Sequence, residues 1–201
     1  MRVLLIRHGQ SEWNASKRLQ GQADISLSET GRRQASALRE VLAEIRPDRA
    51  IGSDLKRVRE TVERAWSGEV EFTPGLREID VGDWTGRAVP ELIDAEPLYY
   101  AGWRAGTHTP PGGESWADFK QRVSAVIDRN GRLASHDNLL VACHGGVIRA
   151  VLDHYLGLEP RHIIPVAPAS LTAIRVPGDG GPARLELFNY RPTGLDFEAP
   201  D

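Results

Sequence analysis

The chain has 201 residues, 40% of them hydrophobic and 26% charged, a balance that suits one compact globular domain and excludes the low-hydrophobicity composition of a disordered chain. Lys plus Arg number 25 against 28 Asp plus Glu, a formal net charge of -3, so the molecule as a whole offers no attraction to nucleic acid or to an anionic membrane, and any anion site has to be local. Cys143 is the only cysteine, which excludes an internal disulfide framework and fits a reducing compartment, so a cytoplasmic location is expected.

In chain order, residues 3–6 form a short aliphatic run that breaks at Arg7, His8 and Gly9, as a buried strand entering a loop does; the run is far too short for a signal-peptide core or a membrane span. After a polar, irregular stretch, Ser28 can cap a helix whose apolar positions Ala35, Leu38, Leu42 and Ile45 recur at helical spacing until Pro47. Residues 50–52 read as a second strand, and Ser53 is expected to cap a helix through Leu55, Val58, Val62 and Ala65, with Arg57 in its first turns. Residues 75–113 are rich in Gly, Pro, Trp and Tyr, with at most a short helix near 89–95, and read as a lid or insert. A longer helix from about Glu114 through Phe119, Val123 and Ile127 leads to residues 139–142, a continuous apolar run typical of a parallel strand covered on both faces. That strand ends at His144, Gly145 and Gly146. A helix over 147–156 and strands over 171–176 and 185–188 follow, the last two joined by a turn at 177–182, and the tail after Pro192 reads as loose. The alternation predicts one α/β domain over 1–201, a three-layer α/β/α sandwich with a mostly parallel central sheet.

Two segments, LLIRHG and LLVACHGG, share one design: an apolar strand delivers a histidine at its carboxyl end and glycine opens the next turn. In open α/β sheets ligands bind beyond the carboxyl ends of the strands, so His8 and His144 can converge there. Gly145 at a helix start can direct backbone N–H groups at an anion. Arg7 and Arg57 supply planar cationic forks that match phosphate oxygens, so the expected ligand is a phosphate. A neutral imidazole is a competent phosphoryl acceptor, the histidines lack a metal-ligand spacing, and two arginines at the transferring group make no metal or other cofactor obligatory. A leaving alkoxide needs a proton. The carboxylates of LREIDVGDWTG, especially Glu78 and Asp80, are the nearest donors, and Glu78 is the choice; burial or the approach of phosphate's own negative charge, which disfavours a second anion, would keep it protonated.

Bland readings stand beside these. A lone histidine at a strand end is a polar residue entering a loop, and His108, His136, His154 and His162 read as surface or capping residues, His108 lying in the lid segment. Cys143 points away from its neighbour His144 and reads as a small core residue. Arg57 can instead pair with Glu60 or Glu63 on its own helix. Trp84, Trp103, Trp116, Tyr99 and Tyr100 either pack together or wall off the leaving group.

With these residues in view, the chain resembles the histidine phosphatase superfamily, also called phosphoglycerate mutase-like, whose signature is the RHG at Arg7-His8-Gly9. The likeness runs through RHGQSEWNASKRLQGQADISLSETGRRQA, SDLKRVRET, LREIDVGDWTG, PPGGESWADFKQRV and HGGVIRAVLDHYLG in order. It implies His8 as nucleophile, Arg7, Arg57 and His144 as the phosphate pocket, Glu78 as proton donor, Asn14 as a further phosphate ligand, and Ser11, Gln20 and Gly21 as substrate-binding positions beside Gly145. The short middle segment resembles the phosphatase branch, including α-ribazole and bacterial glucosyl-3-phosphoglycerate phosphatases, more than the dedicated mutases. Asp54 stands where proline is common and Gln10 replaces a frequent glutamate, neither at a catalytic position. The resemblance implies a metal-independent phosphomonoesterase acting on a small phosphorylated metabolite through phosphohistidine, and a possible homodimer. Its rivals are phosphoglycerate mutase-type transfer and a catalytically inactive phospholigand-binding module.

Overall fold

The computed structural model describes residues 1–132, 138–178 and 180–194. The turn expected at 177–182 includes Asp179, which lies outside the described residues, as do His136 and the expected loose tail beyond Gly194. Among the described residues one sheet holds β1 (Arg2–Arg7), β2 (Arg49–Ser53), β3 (Glu71–Thr73), β4 (Asn138–Cys143), β5 (Leu171–Arg175) and β6 (Arg184–Tyr190), in the order β3-β2-β4-β1-β5-β6. β4 runs parallel to both β1 and β2, β2 parallel to β3, while β5 and β6 close the other edge antiparallel.

Parallel neighbours need crossover connections, and helices supply them. α2 (Glu29–Ile45) links β1 to β2, α3 (Lys56–Ala65) links β2 to β3, α6 (Trp116–Arg132) precedes β4, and α7 (Gly145–Leu156) follows it. Successive strand side chains alternate between faces. Leu4 and Ile6 of β1 join Leu140 and Ala142 of β4 under Leu38, Leu42, Val58 and Val62 of α2 and α3. Val3 and Leu5 join Leu139, Val141 and Cys143 against Phe119, Val123 and Ile127 of α6 and Val147 and Val151 of α7. The result is the three-layer sandwich. Each fully buried leucine such as Leu38 contributes roughly 1.5–3 kcal/mol relative to exposure in water. α2 starts where expected: Ser28 accepts the N–H of Gly31, and the helix ends at Arg46 in the left-handed region before Pro47.

Four elements differ from the sequence expectation. Ser53 does not cap α3; Leu55 holds that position with no side-chain cap, and Ser53 ends β2. β3 has three residues at the sheet edge, too few for a period to show. The polar stretch after Gln10 contains α1 (Glu12–Ala15), closed by a capping box between Ser11 and Asn14. Beyond α4 (Val89–Ala95), the 75–113 segment carries α5 (Pro97–Arg104), started by a proline in its first turn. No residue of α5 is buried, so it lacks the apolar stripe by which a sequence shows a helix.

Candidate active site

The site follows from strand register. Arg7 pairs with Cys143 across the central β1–β4 ladder, so the next residues, His8 and His144, emerge side by side with ring centroids 5.2 Å apart and planes at 64°. The backbone N–H of His8 donates to Cys143 O at 3.0 Å. On the other flank of β4, β2 ends at Ser53, whose Oγ lies 2.8 Å from His144 Nε2. Three adjacent parallel strands thus deliver His8, His144 and Ser53 in a row at the carboxyl edge of the sheet, where such sheets hold ligands.

His8 Nδ1 lies 2.6 Å from Gly9 O. A carbonyl only accepts, so Nδ1 carries the hydrogen and Nε2 keeps a lone pair. Gly9 N–H donates to Thr61 Oγ1 at 3.0 Å, and Thr61 donates to Arg57 O at 2.7 Å, tying the loop after β1 to α3. A Cβ at Gly9 would run into the backbone of Gly31, so glycine here lets the loop lie against the start of α2. His144 is fully buried beneath His8, is not among the residues lining the open cavity, and its Nδ1 has no hydrogen-bond partner.

Burial, then the charges of Arg57 and Arg7, hold His8 well below the usual histidine range, with the Gly9 hydrogen bond opposing. Burial, Arg57, His8, Arg7 and Arg122 lower His144 in the same way. Both rings are neutral at neutral pH. The unfolded chain protonates them near about pH 6.5 whereas the native rings resist, so below that pH the unfolded state binds more protons and stability falls with pH. The urea midpoint should therefore drop between about pH 7.5 and about pH 5.5, and His8→Gln combined with His144→Gln should flatten the slope. A pH-independent midpoint in the wild type would contradict the neutral pair.

Arg57, only 1% exposed, does not pair with Glu60 or Glu63. Its Nη1 donates to Ala23 O at 2.7 Å and its Nη2 to Gly21 O at 2.9 Å, while Nε has no partner. Burial lowers its pKa to about 10, with the Glu78 charge opposing, and it remains a cation at neutral pH. Arg7 donates through Nη1 to Val166 O and lines the cavity with His8 and Arg57.

Asn14, Gln20, Gly21 and Gly145 also line the cavity. Ser11 is fully buried and does not line it; its hydroxyl accepts from Asn14 N–H at 3.0 Å and lies 2.7 Å from Gln20 Oε1. Asn14 Oδ1 in turn accepts from Ser11 N–H at 3.1 Å, which leaves the amide NH2 to serve a ligand oxygen. Ser11 thus sets two cavity residues from behind.

Glu78 reaches the same cavity from the loop after β3. Its Oε2 accepts Gly146 N–H at 3.0 Å and its Oε1 accepts Ile79 N–H at 2.9 Å. The loop is braced by two arginines. Arg77 forms a bidentate pair with Asp54 at 2.8 and 2.7 Å, and Arg122 of α6 donates to Gly75 O and Arg77 O at 3.1 Å each. A side chain at Gly146 would overlap the Glu78 carboxylate. Gly146→Ala should therefore displace Glu78 and lower turnover about 100-fold on alkyl phosphates, whose leaving oxygen needs a proton, while changing p-nitrophenyl phosphate turnover far less; equal losses on both would count against the displacement.

The model of the histidine phosphatase superfamily (branch 1) matches residues 3–190. The chain belongs to this superfamily. It is 38% identical over 168 residues to a glucosyl-3-phosphoglycerate phosphatase of Mycolicibacterium vanbaalenii, covering 78% of this chain and 75% of that one. It is 34% identical over 157 residues to a metal-independent phosphoserine phosphatase of Arabidopsis thaliana, covering 74% and 66%. A solved mycobacterial glucosyl-3-phosphoglycerate phosphatase, in complex with VO3, superposes with a TM-score of 0.85 at 32% identity over 94% of this chain and 98% of that one. The protein is an enzyme that hydrolyses phosphate esters.

In this histidine phosphatase the cavity opens outward to Arg18, Tyr100, Trp103, Arg104, Trp116 and Arg149. Trp84, 1% exposed, anchors two of the aromatics, with ring centroids 6.1 Å from Trp103 and 6.5 Å from Tyr100. His108 stacks on Tyr99 and Trp84 and is not a cavity-lining residue. Sequence reasoning missed Ser53, Thr61 and Gly146. The SDLKRVRET and HGG segments that contain them carried the signal, but their roles are contacts to residues distant in the chain. Among the described residues no cluster of three or more His, Cys, Asp or Glu is placed to hold a metal, and no helix is long and apolar enough to cross a membrane.

Proposed function

We propose that this enzyme is a metal-independent phosphomonoesterase that works in two steps through a phosphohistidine at His8. The observation that carries the reading is the His8 Nδ1 contact to Gly9 O, which leaves Nε2 as an unprotonated nucleophile beside two buried arginines. Nε2 attacks phosphorus as the ester P–O bond breaks, and Glu78 gives its proton to the departing alkoxide. Water then attacks the phosphohistidine, Glu78 carboxylate takes the water proton, the P–N bond breaks, and inorganic phosphate leaves a neutral His8. Arg7, Arg57, His144 and the Asn14 amide hold the equatorial oxygens, with the Gly145 backbone close by.

Gln20, Gly21 and the 75–113 segment, a cover within a single domain, face the leaving group. The leading candidate substrate is glucosyl-3-phosphoglycerate, on the names of the relatives and on a cavity mouth that combines aromatic rings with arginines. Cytoplasmic location and a homodimer belong to the same reading. Rapid acid-free quenching with a 32P-labelled phosphomonoester, with EDTA present, should trap an acid-labile, alkali-stable phosphoprotein that is absent in His8→Ala. No phosphoprotein, or one retained in His8→Ala, would overturn the nucleophile. Conversion of 3-phosphoglycerate with a bisphosphate primer to 2-phosphoglycerate instead of free phosphate would favour the mutase.

A further inference from the structure

Ser53 stands at the end of β2 with no exposure to solvent. Its Oγ accepts Leu55 N–H at 3.4 Å and lies 2.8 Å from His144 Nε2. A hydroxyl has one hydrogen to give and can also accept. With Leu55 supplying a hydrogen to Oγ, the imidazole nitrogen at 2.8 Å is the neighbour able to take the serine hydrogen, and a buried hydroxyl hydrogen without an acceptor is costly. The hydrogen bond therefore runs from Ser53 to a bare Nε2. In a neutral ring the proton then sits on Nδ1, the nitrogen that is buried with no hydrogen-bond partner.

We propose that Ser53 is a positioning residue that fixes His144 as the Nδ1–H tautomer, so that the phosphoryl group meets an N–H donor and not a lone pair. This rests on the reading of His144 as a phosphoryl-contacting residue. With Nε2 turned to Ser53, Nδ1 is the only ring nitrogen left for that contact. In the opposite tautomer a lone pair would face anionic oxygens, so the same ring would repel what it has to hold. Burial and neighbouring cations keep the ring uncharged, so the choice between tautomers and not the charge decides whether it donates. Ser53 also links the two halves of the site, since β2 leads into α3, the helix of Arg57, while β4 carries His144.

The test is long-range 1H–15N correlation of the His144 ring near neutral pH, together with kcat/KM and orthovanadate inhibition, in wild type, Ser53→Ala and Ser53→Thr. Wild type should show protonated Nδ1 and bare Nε2. Ser53→Ala should populate the Nε2–H form and lose on the order of 10-fold in kcat/KM and in orthovanadate affinity together. Ser53→Thr, which keeps the hydroxyl on a residue suited to a strand, should restore both. The wild-type spectrum alone decides the tautomer if a variant fails to fold. An Nε2–H ring in wild type overturns the proposal, as does a Ser53→Ala enzyme with an unchanged tautomer and full turnover. Full turnover in His144→Ala would overturn the reading of His144 and the proposal with it, and is told apart because the wild-type tautomer would still be Nδ1–H.

Discussion

Replacing His8 with alanine is expected to lower kcat at least about 10,000-fold, a loss of about 5 kcal/mol of transition-state stabilisation, while the protein stays folded. The size follows from removing the atom that forms the covalent bond, which leaves only binding and electrostatic positioning to assist attack by water. The fold should survive because the structural bonds of this residue are in its backbone: its N–H donates to Cys143 O and its carbonyl accepts from Ala169 N–H at 3.1 Å. The ring hydrogen-bonds to the adjacent Gly9 carbonyl, so truncation strands no distant partner. Phosphate release and circular dichroism on the same sample check both halves. A folded variant that keeps wild-type turnover would end the assignment.

Arg57→Ala should lower kcat/KM about 1,000-fold, the second largest effect of a single substitution here. Arg57 holds Gly21 O and Ala23 O with two of its nitrogens, so it orders the 21–23 loop as well as placing positive charge at the proposed phosphoryl site. Arg57→Lys should recover little, because a point-charge ammonium cannot bind two carbonyls and a phosphate in the fixed directions of a guanidinium. A second readout separates charge from packing. After burial, the Arg57 charge is the largest influence lowering His8, so its removal favours the protonated ring, and the acid limb of the pH profile of kcat/KM should move to higher pH in Arg57→Ala. An acid limb that stays in place would mean that Arg57 acts through the loop alone.

How far the sequence reaches can be judged from particular residues. The strands before His8 and His144 are legible because each is an unbroken apolar run that stops at charge or glycine, the mark of a strand buried on both faces. Their adjacency is not legible, since it depends on β4 inserting between β1 and β2, a choice made by the whole sheet. Ser53 reads as a cap for a physical reason: a serine shortly before a helical pattern is the standard capping signal, but β2 continues through it and hands its hydroxyl to His144. Arg57 could be placed on a helix, but its choice of Gly21 and Ala23 carbonyls over Glu60 and Glu63 requires knowing that the substrate loop folds across α3. Glu78 was legible as a carboxylate in a loop; the need for glycine at position 146 is visible only when the two meet. α5 left no apolar stripe because it rests on the body of the enzyme through partly buried aromatics and buries no side chain fully.

The hydrogen-bonding ladder that sets His8 beside His144 also lies between the two buried core clusters, one on each face of the sheet. Opening the phosphoryl site would require separating β1 from β4, both fully enclosed by helices, so its backbone amides belong with those that exchange with solvent only on global unfolding. The short helices α4 and α5 carry exposed Ile93, Leu98 and Tyr99 and can open locally at much lower free energy. On the proposed reading, chemistry and substrate choice therefore sit on units of different stability, and sequence drift in the outer unit would change which alcohol is accepted without disturbing the ladder that sets the two histidines together.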